Sequence, residues 1–206
     1  MISAAWIAAA LVLGSFPFAL WVGKIFLHKD IRSFGDGAPG AANVARAGSK
    51  ALFVLAALLD AFKGAVPVWL SQMLSGTAGW ELAAVAMAPV VGHAFSPFLN
   101  FRGGMGMATT FGVWLGLTGW LGPVVMALCI GFMFVIQKNW VWASVAGMTI
   151  FLIILLVLPD LFIDKYRLPL LCAGMVHTSI LAIKRYSYFR SWPEPQSWIG
   201  RLGRKS

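Results

Sequence analysis

An all-α integral membrane protein with about seven transmembrane helices is the fold class this sequence predicts. Three observations lead there. Of 206 residues, 60% are hydrophobic and only 11% charged, whereas a soluble domain carries about 25% charged residues. The apolar residues gather into runs near the roughly 20 residues a helix needs to cross hydrocarbon. The cations divide very unequally between the two sides those runs define, as membrane topology requires.

The runs cover residues 4–27, 50–71, 82–100, 107–120, 121–137, 143–159 and 167–185. Only the stretch 119–123 divides the fourth from the fifth. Breaks at 75–79, at Pro159 and Asp160, and at Pro169 fit turns or helix ends. The first run has no positive region before it, and Lys24, Lys29 and Arg32 follow it. That order suits an uncleaved first helix with its N-terminus outside. Residues 1–185 then form one membrane domain, and 186–206 form a basic tail along the membrane surface.

Seven spans put the chain ends on opposite sides. Thirteen cations fall on one side: Lys24, Lys29, Arg32, Arg46, Lys50, Arg102, Lys138, Lys184, Arg185, Arg190, Arg201, Arg204 and Lys205. Lys165 and Arg167 fall on the other, and Lys63 lies inside a span. The richer side is therefore expected to be cytoplasmic, with the C-terminus. The net charge of +9 is explained by topology and anionic headgroups, so no nucleic-acid partner is expected. Cys129 and Cys172 lie in apolar spans without metal-ligand spacing, and neither a metal nor a cofactor is expected.

Two glycine-rich loops stand out on the cytoplasmic side. The first contains Gly35, Asp36, Gly37, Gly40, Asn43 and Arg46, and leads to a helix starting near Ser49. The second reads Phe101-Arg102-Gly103-Gly104-Met105-Gly106-Met107-Ala108-Thr109. Clustered glycine lets the main chain approach a ligand or turn sharply, and successive free N–H groups form nests for anions. Flanking arginines strengthen the reading of an anionic ligand held at the bilayer surface. The Gly-x-Gly-x-x-Gly spacing of the first loop follows no strand, so a dinucleotide fold is not indicated.

Asp60 and Lys63 lie three residues apart on one face of the second span. Intramembrane charges mark function or fix helix packing, and both readings stand. His93 and His177 lie near cytoplasmic helix ends, each a candidate to bond a phosphate or move a proton.

Gly14-Ser15-Phe16-Pro17-Phe18, the loop 30–46, Asp60-x-x-Lys63-Gly64, Gly92-His93 and Arg102-Gly103-Gly104-x-Gly106-x-Ala108-Thr109 occur in one order. Together they resemble the bacterial acyl-phosphate:glycerol-3-phosphate acyltransferases of the PlsY type, densely through residue 112 and weakly beyond. The resemblance implies a seven-span enzyme of the bacterial cytoplasmic (inner) membrane. Its substrates would be acyl phosphate and glycerol 3-phosphate, its product lysophosphatidic acid, and its role phospholipid synthesis. The implied substrate and phosphate site comprises Gly35, Gly37, Gly40, Asn43, Arg46, Lys63, His93, Arg102, Gly103, Gly104, Gly106, Thr109 and Ser144. His177 and Asp36 are the implied candidates for a catalytic group, besides the donor's own phosphate.

The sequence departs from that family pattern at several polar positions. Asp36 replaces serine, Ala38 asparagine, Ala42 threonine, and Met105 the lysine of the second loop. Ser144 alone remains of a serine-rich motif, and Ile180 stands where asparagine follows His177. Positions 36 and 105 together make the site two charges more negative. A close charge pair is worth about 4 kcal/mol at an effective dielectric near 20, so binding of a dianionic acceptor should weaken. Two alternatives follow: a less anionic acceptor, or a non-catalytic paralogue that binds lipid or a partner protein.

Overall fold

The computed structural model describes residues 2–158, 167–190, 193, 195 and 196. Among them the secondary structure is helical, apart from one isolated bridge between Gln137 and Pro195. The expected turn at Pro159 and Asp160, Lys165, and the tail cations Arg201, Arg204 and Lys205 lie outside the described residues.

The first run is two helices rather than one, α1 (Ile2–Ser15) and α2 (Phe18–Phe26). Pro17 has no N–H to continue the ladder, so the carbonyls ahead of it need other partners. The side chain of Lys63 donates to Phe16 O (2.7 Å), and Ser96 Oγ to Ser15 O (2.6 Å). Side chains from two later spans thus stitch the break.

Between α2 and the second span lies a short helix, α3 (Ala41–Ala47), which the sequence pattern did not indicate. Gly48, at φ 135°, ends it. The second span, α4 (Lys50–Ser75), opens with Ser49 as N-cap, its hydroxyl accepting from Leu52 N (3.2 Å). Gly76 closes it in the left-handed region. Then follow α5 (Gly79–Ala94), α6 (Met107–Thr118), α7 (Leu121–Ile136), α8 (Trp140–Val157) and α9 (Arg167–Lys184).

Among the described residues, four segments are long and apolar enough to cross a membrane: Ile2–Phe26, Lys50–Ser75, Gly79–Leu99 and Trp140–Val157. Helix α6 has only 12 residues, about 18 Å at 1.5 Å per residue, and α7 has 16.

Helix α5 is central, packed on α1, α9, α4 and α6. Small residues allow the closest crossings. On α4 and α6, Gly64 faces the backbone of Thr109, and Gly112 that of Ala61. On α1 and α5, Gly14 faces the backbone of Pro89, and Gly92 that of Leu11. With lipid tails as apolar as the side chains, such dispersion contacts between backbones drive helix association. Trp114 fills the centre, edge-on to Phe151 with ring centroids 4.7 Å apart.

After α9 a 3₁₀ turn at Tyr186–Arg190 lies against α8 through Tyr188 on Trp140 and Phe189 on Trp142. Gln196 N donates to Ile136 O (2.8 Å), holding that part of the tail at the end of α7.

Candidate functional site

The first glycine loop is braced from within. Gly35 and Gly37 adopt φ 57° and 72°, a region glycine enters without strain. Asn43, on the first turn of α3, donates to Asp36 Oδ1 (2.9 Å) and to Ala38 O (2.8 Å). Its own oxygen accepts from Arg46 Nη1 (2.8 Å). Asn43 is 1% exposed, so its amide is fully committed to the loop. Gly40 precedes α3 with open space around it.

Asp36 carries an interaction that the sequence pattern did not indicate. Its Oδ2 lies 2.8 Å from Nη2 of Arg185, one residue beyond α9. Its Oδ1 accepts from Ala38 N (3.1 Å) and from Asn43. Burial pushes the carboxyl up, but the Ala38 N–H, Arg185, the Asn43 amide and Arg46 together hold it below the usual carboxylate range. Asp36 is therefore an ion-paired carboxylate. The extra negative charge expected at position 36 is offset by a cation from the far end of the chain.

The second loop is held by its backbone. Gly103 N donates to Ala94 O (3.1 Å), and the main chain runs so close to His93 O that a side chain at 103 would collide with it. A Cβ at 104 would lie 2.5 Å from His93 Nε2. Gly106, at φ 79°, turns the chain into α6. Behind this loop lies a buried polar stack. Lys63 Nζ is 2.7 Å from Asp60 Oδ1, and His93 Nδ1 is 3.9 Å from the same oxygen.

Two cavities meet between the loops. The more polar one, about 260 Å³, is lined by the charged Asp36, Arg102, Lys184 and Arg185, by Gly37, Gly103 and Gly104, and by the apolar Ala38, Pro39, Phe101 and Met105. The second, about 600 Å³, shares Asp36, Gly104, Met105 and Arg185 with it. From there it runs over Met107, Ala108 and Phe111 of α6, between Phe53 and Ala57 of α4 and Ala127, Gly131 and Phe134 of α7. This branch is overwhelmingly apolar. Phe53 and Phe134 are both partly exposed, so the branch opens on the flank of the bundle.

Of the residues singled out from sequence, Asp36, Gly37, Gly40, Asn43, His93, Arg102, Gly103, Gly104, Gly106 and Ser144 border one or both cavities. Gly35, Arg46, Lys63, Thr109 and His177 border neither. Arg46 braces Asn43, and Lys63 holds Asp60 and the α1–α2 break. Thr109 is fully buried on the first turn of α6, against Gly64. His177 is buried in α9, its Nε2 3.2 Å from Ala86 O. Ser144 donates to Trp140 O (2.8 Å) from the apolar wall. Sequence reasoning counted Lys184 and Arg185 only as topology charges. The one signal for Arg185 was a carboxylate inside an anion loop, which calls for a cation beside it.

This is a helical membrane protein with a two-branched cavity, one branch polar and cationic, the other apolar and lateral, joined under two glycine loops. The sequence profile of the glycerol-3-phosphate acyltransferase family matches residues 4–190, and the chain belongs to that family. It is 47% identical over 117 residues to a glycerol-3-phosphate acyltransferase of Bordetella petrii, covering 56% of this chain and 55% of that protein. A second relative of the same name, from Bordetella pertussis, is 42% identical over 126 residues, 61% of this chain and 59% of its own. The matched stretch thus spans little more than half of each relative. Two solved structures superpose on nearly the whole fold. One is PlsY, an integral membrane glycerol 3-phosphate acyltransferase, in its glycerol 3-phosphate form: TM-score 0.80, 24% identity, 97% of this chain and 98% of that one. The lysophosphatidic acid form gives TM-score 0.76 and 26% identity, over 91% of this chain and 90% of that one.

Proposed function

We propose that this protein transfers a fatty acyl group from acyl phosphate to the 1-hydroxyl of glycerol 3-phosphate, giving lysophosphatidic acid for phospholipid synthesis. The observation that carries this reading is the two-branched cavity. One reactant of such a transfer is small and wholly polar, and the other has a charged head on a long apolar chain. A polar branch and an apolar lateral branch, meeting beside Asp36 and Gly104, match that pair. Family membership and the named forms of the two solved relatives support the same choice.

In the transfer, the acceptor hydroxyl oxygen bonds to the acyl carbonyl carbon while the carbon–oxygen bond to phosphate breaks. The hydroxyl proton passes to the departing phosphate, and inorganic phosphate is released. Phosphate is already a good leaving group, so the protein's task is positioning and stabilisation of charge. The lowered Asp36 carboxyl is a weak base, and His177 is turned onto Ala86 O away from both cavities, which supports the donor's own phosphate as the group that takes the proton. The charge on Asp36 is met by Arg185, which offsets one of the two charges that favoured a less anionic acceptor.

The reading includes seven crossings of the bacterial inner membrane, N-terminus outside and both glycine loops cytoplasmic. The cation distribution supports it. Purified full-length protein given acyl phosphate and glycerol 3-phosphate should form lysophosphatidic acid and inorganic phosphate in equal amounts. No acylated product with glycerol 3-phosphate, alongside turnover of a neutral alcohol, would overturn the acceptor. No transfer to any acceptor would overturn the activity.

A further inference from the structure

The polar branch carries more positive charge than its two glycine loops supply. Arg102 comes from the second loop, but Lys184 and Arg185 come from the end of α9. Against these three cations stands one carboxylate, Asp36. Arg185 is also unusually well placed. Its Nη2 is fixed by Asp36 at 2.8 Å, its guanidinium lies 5.8 Å from the Trp140 ring, and it borders both branches. Its Nε is buried and has no hydrogen-bond partner among the described residues. Met105, where the family pattern has lysine, lies in the same wall.

We propose that Arg185, set by Asp36 and joined by Lys184, binds the phosphate of the glycerol 3-phosphate acceptor and takes the place of the lysine absent at position 105. The inference rests on the acyl-transfer reading above. Three cations and one carboxylate leave two positive charges in excess, the match for a phosphate monoester near neutral pH. Guanidinium offers five N–H donors in a planar fork, so an arginine tethered to Asp36 keeps donors for phosphate oxygens. The acceptor has no acyl chain, so the 260 Å³ polar branch suits it and the apolar branch is left to the donor. Asp36 and Met105 are then a linked pair of departures. Losing the lysine is matched by an arginine from α9, and the carboxylate at 36 holds that arginine in position.

Steady-state kinetics of the full-length protein test this by separating the two substrates. R185A should raise KM for glycerol 3-phosphate roughly 10- to 100-fold, the range for a lost hydrogen bond to a charged group, with KM for acyl phosphate little changed. M105K in the R185A background should recover much of that loss. An unchanged KM for glycerol 3-phosphate in R185A overturns the assignment, as does an equal rise for both substrates, which marks a structural role. Failure of M105K to recover acceptor binding overturns the substitution of one cation for the other. Inactive wild-type protein would instead refute the transfer reading. Calorimetry with glycerol 3-phosphate then decides the phosphate site by itself: binding lost in R185A sustains it, and equal heats in both proteins overturn it.

Discussion

The two glycine loops look alike in composition and are built in opposite ways. The first is a scaffold of side chains, with Asp36, Asn43 and Arg46 holding a backbone that turns through Gly35 and Gly37. The second uses no side chain of its own; Gly103 and Gly104 lie flat against the end of α5 because nothing larger fits. Gly35 and Gly37 in the first supply left-handed turns, whereas Gly103 and Gly104 in the second supply absence of volume, with Gly106 alone of its glycines turning left-handed. A loop held by side chains can be altered in charge while keeping its shape, as the aspartate at position 36 illustrates. A loop held by contact tolerates change only where a side chain lies along the cavity, as at Met105.

The sharpest way to break that contrast is Gly103→Ala. The new methyl would meet the carbonyl oxygens of His93 and Ala94, both backbone atoms with little room to yield. We expect a loss of about 3 kcal/mol or more, the upper end for overpacking, seen as a much lower Tm in detergent. A near-normal Tm would mean that the loop is not held by close approach. Asn43→Ala comes next. It removes three hydrogen bonds from the first loop and should cost about 2 kcal/mol. Proteolysis should then increase within residues 34–48 rather than near α6.

Asp36→Asn should cost about 1 to 2 kcal/mol, since it leaves Arg185 without its counter-charge. The sign of the pH effect follows from the lowered carboxyl. Its stabilisation is fully present above the unfolded value of about 3.9 and is lost as pH falls through the lower folded value. The gap in Tm between wild type and D36N should therefore be constant from pH 5 to 8 and close below about pH 4. A gap that widens on acidification would contradict the ion pair. The smallest effect belongs to Asp30→Asn. Hydrogen bonds from Arg32 hold the Asp30 carboxyl down to about 2. The pair is exposed to solvent, and the change should stay below about 0.5 kcal/mol.

What the sequence made legible was whatever is local. Ser49 before a long apolar run announces a helix start, and the structure makes it the cap of α4. The apolar runs found all the long helices to within a few residues. Pro17 was missed as a break because apolar residues continue across it, and the partners that make it tolerable, Lys63 on α4 and Ser96 just after α5, are far along the chain. The short α3 has no apolar period of its own. The pairing of Asp36 with Arg185 joins residues 149 positions apart. No spacing rule reaches that far, and charge arithmetic on the two loops alone predicted an imbalance that a distant cation corrects. His177, matched by motif, packs into the bundle on Ala86 O, and only the fold could place it.

The flank opening between Phe53 and Phe134 carries a kinetic consequence. On the acyl-transfer reading proposed above, a donor entering there would arrive by lateral diffusion within one leaflet without crossing water. Its relevant concentration is a number per lipid. Diluting acyl phosphate with inert detergent or lipid at constant bulk concentration should slow transfer, whereas the water-borne acceptor should not feel that dilution. On that reading the protein would be a junction between a two-dimensional and a three-dimensional solution, saturable in each by its own measure.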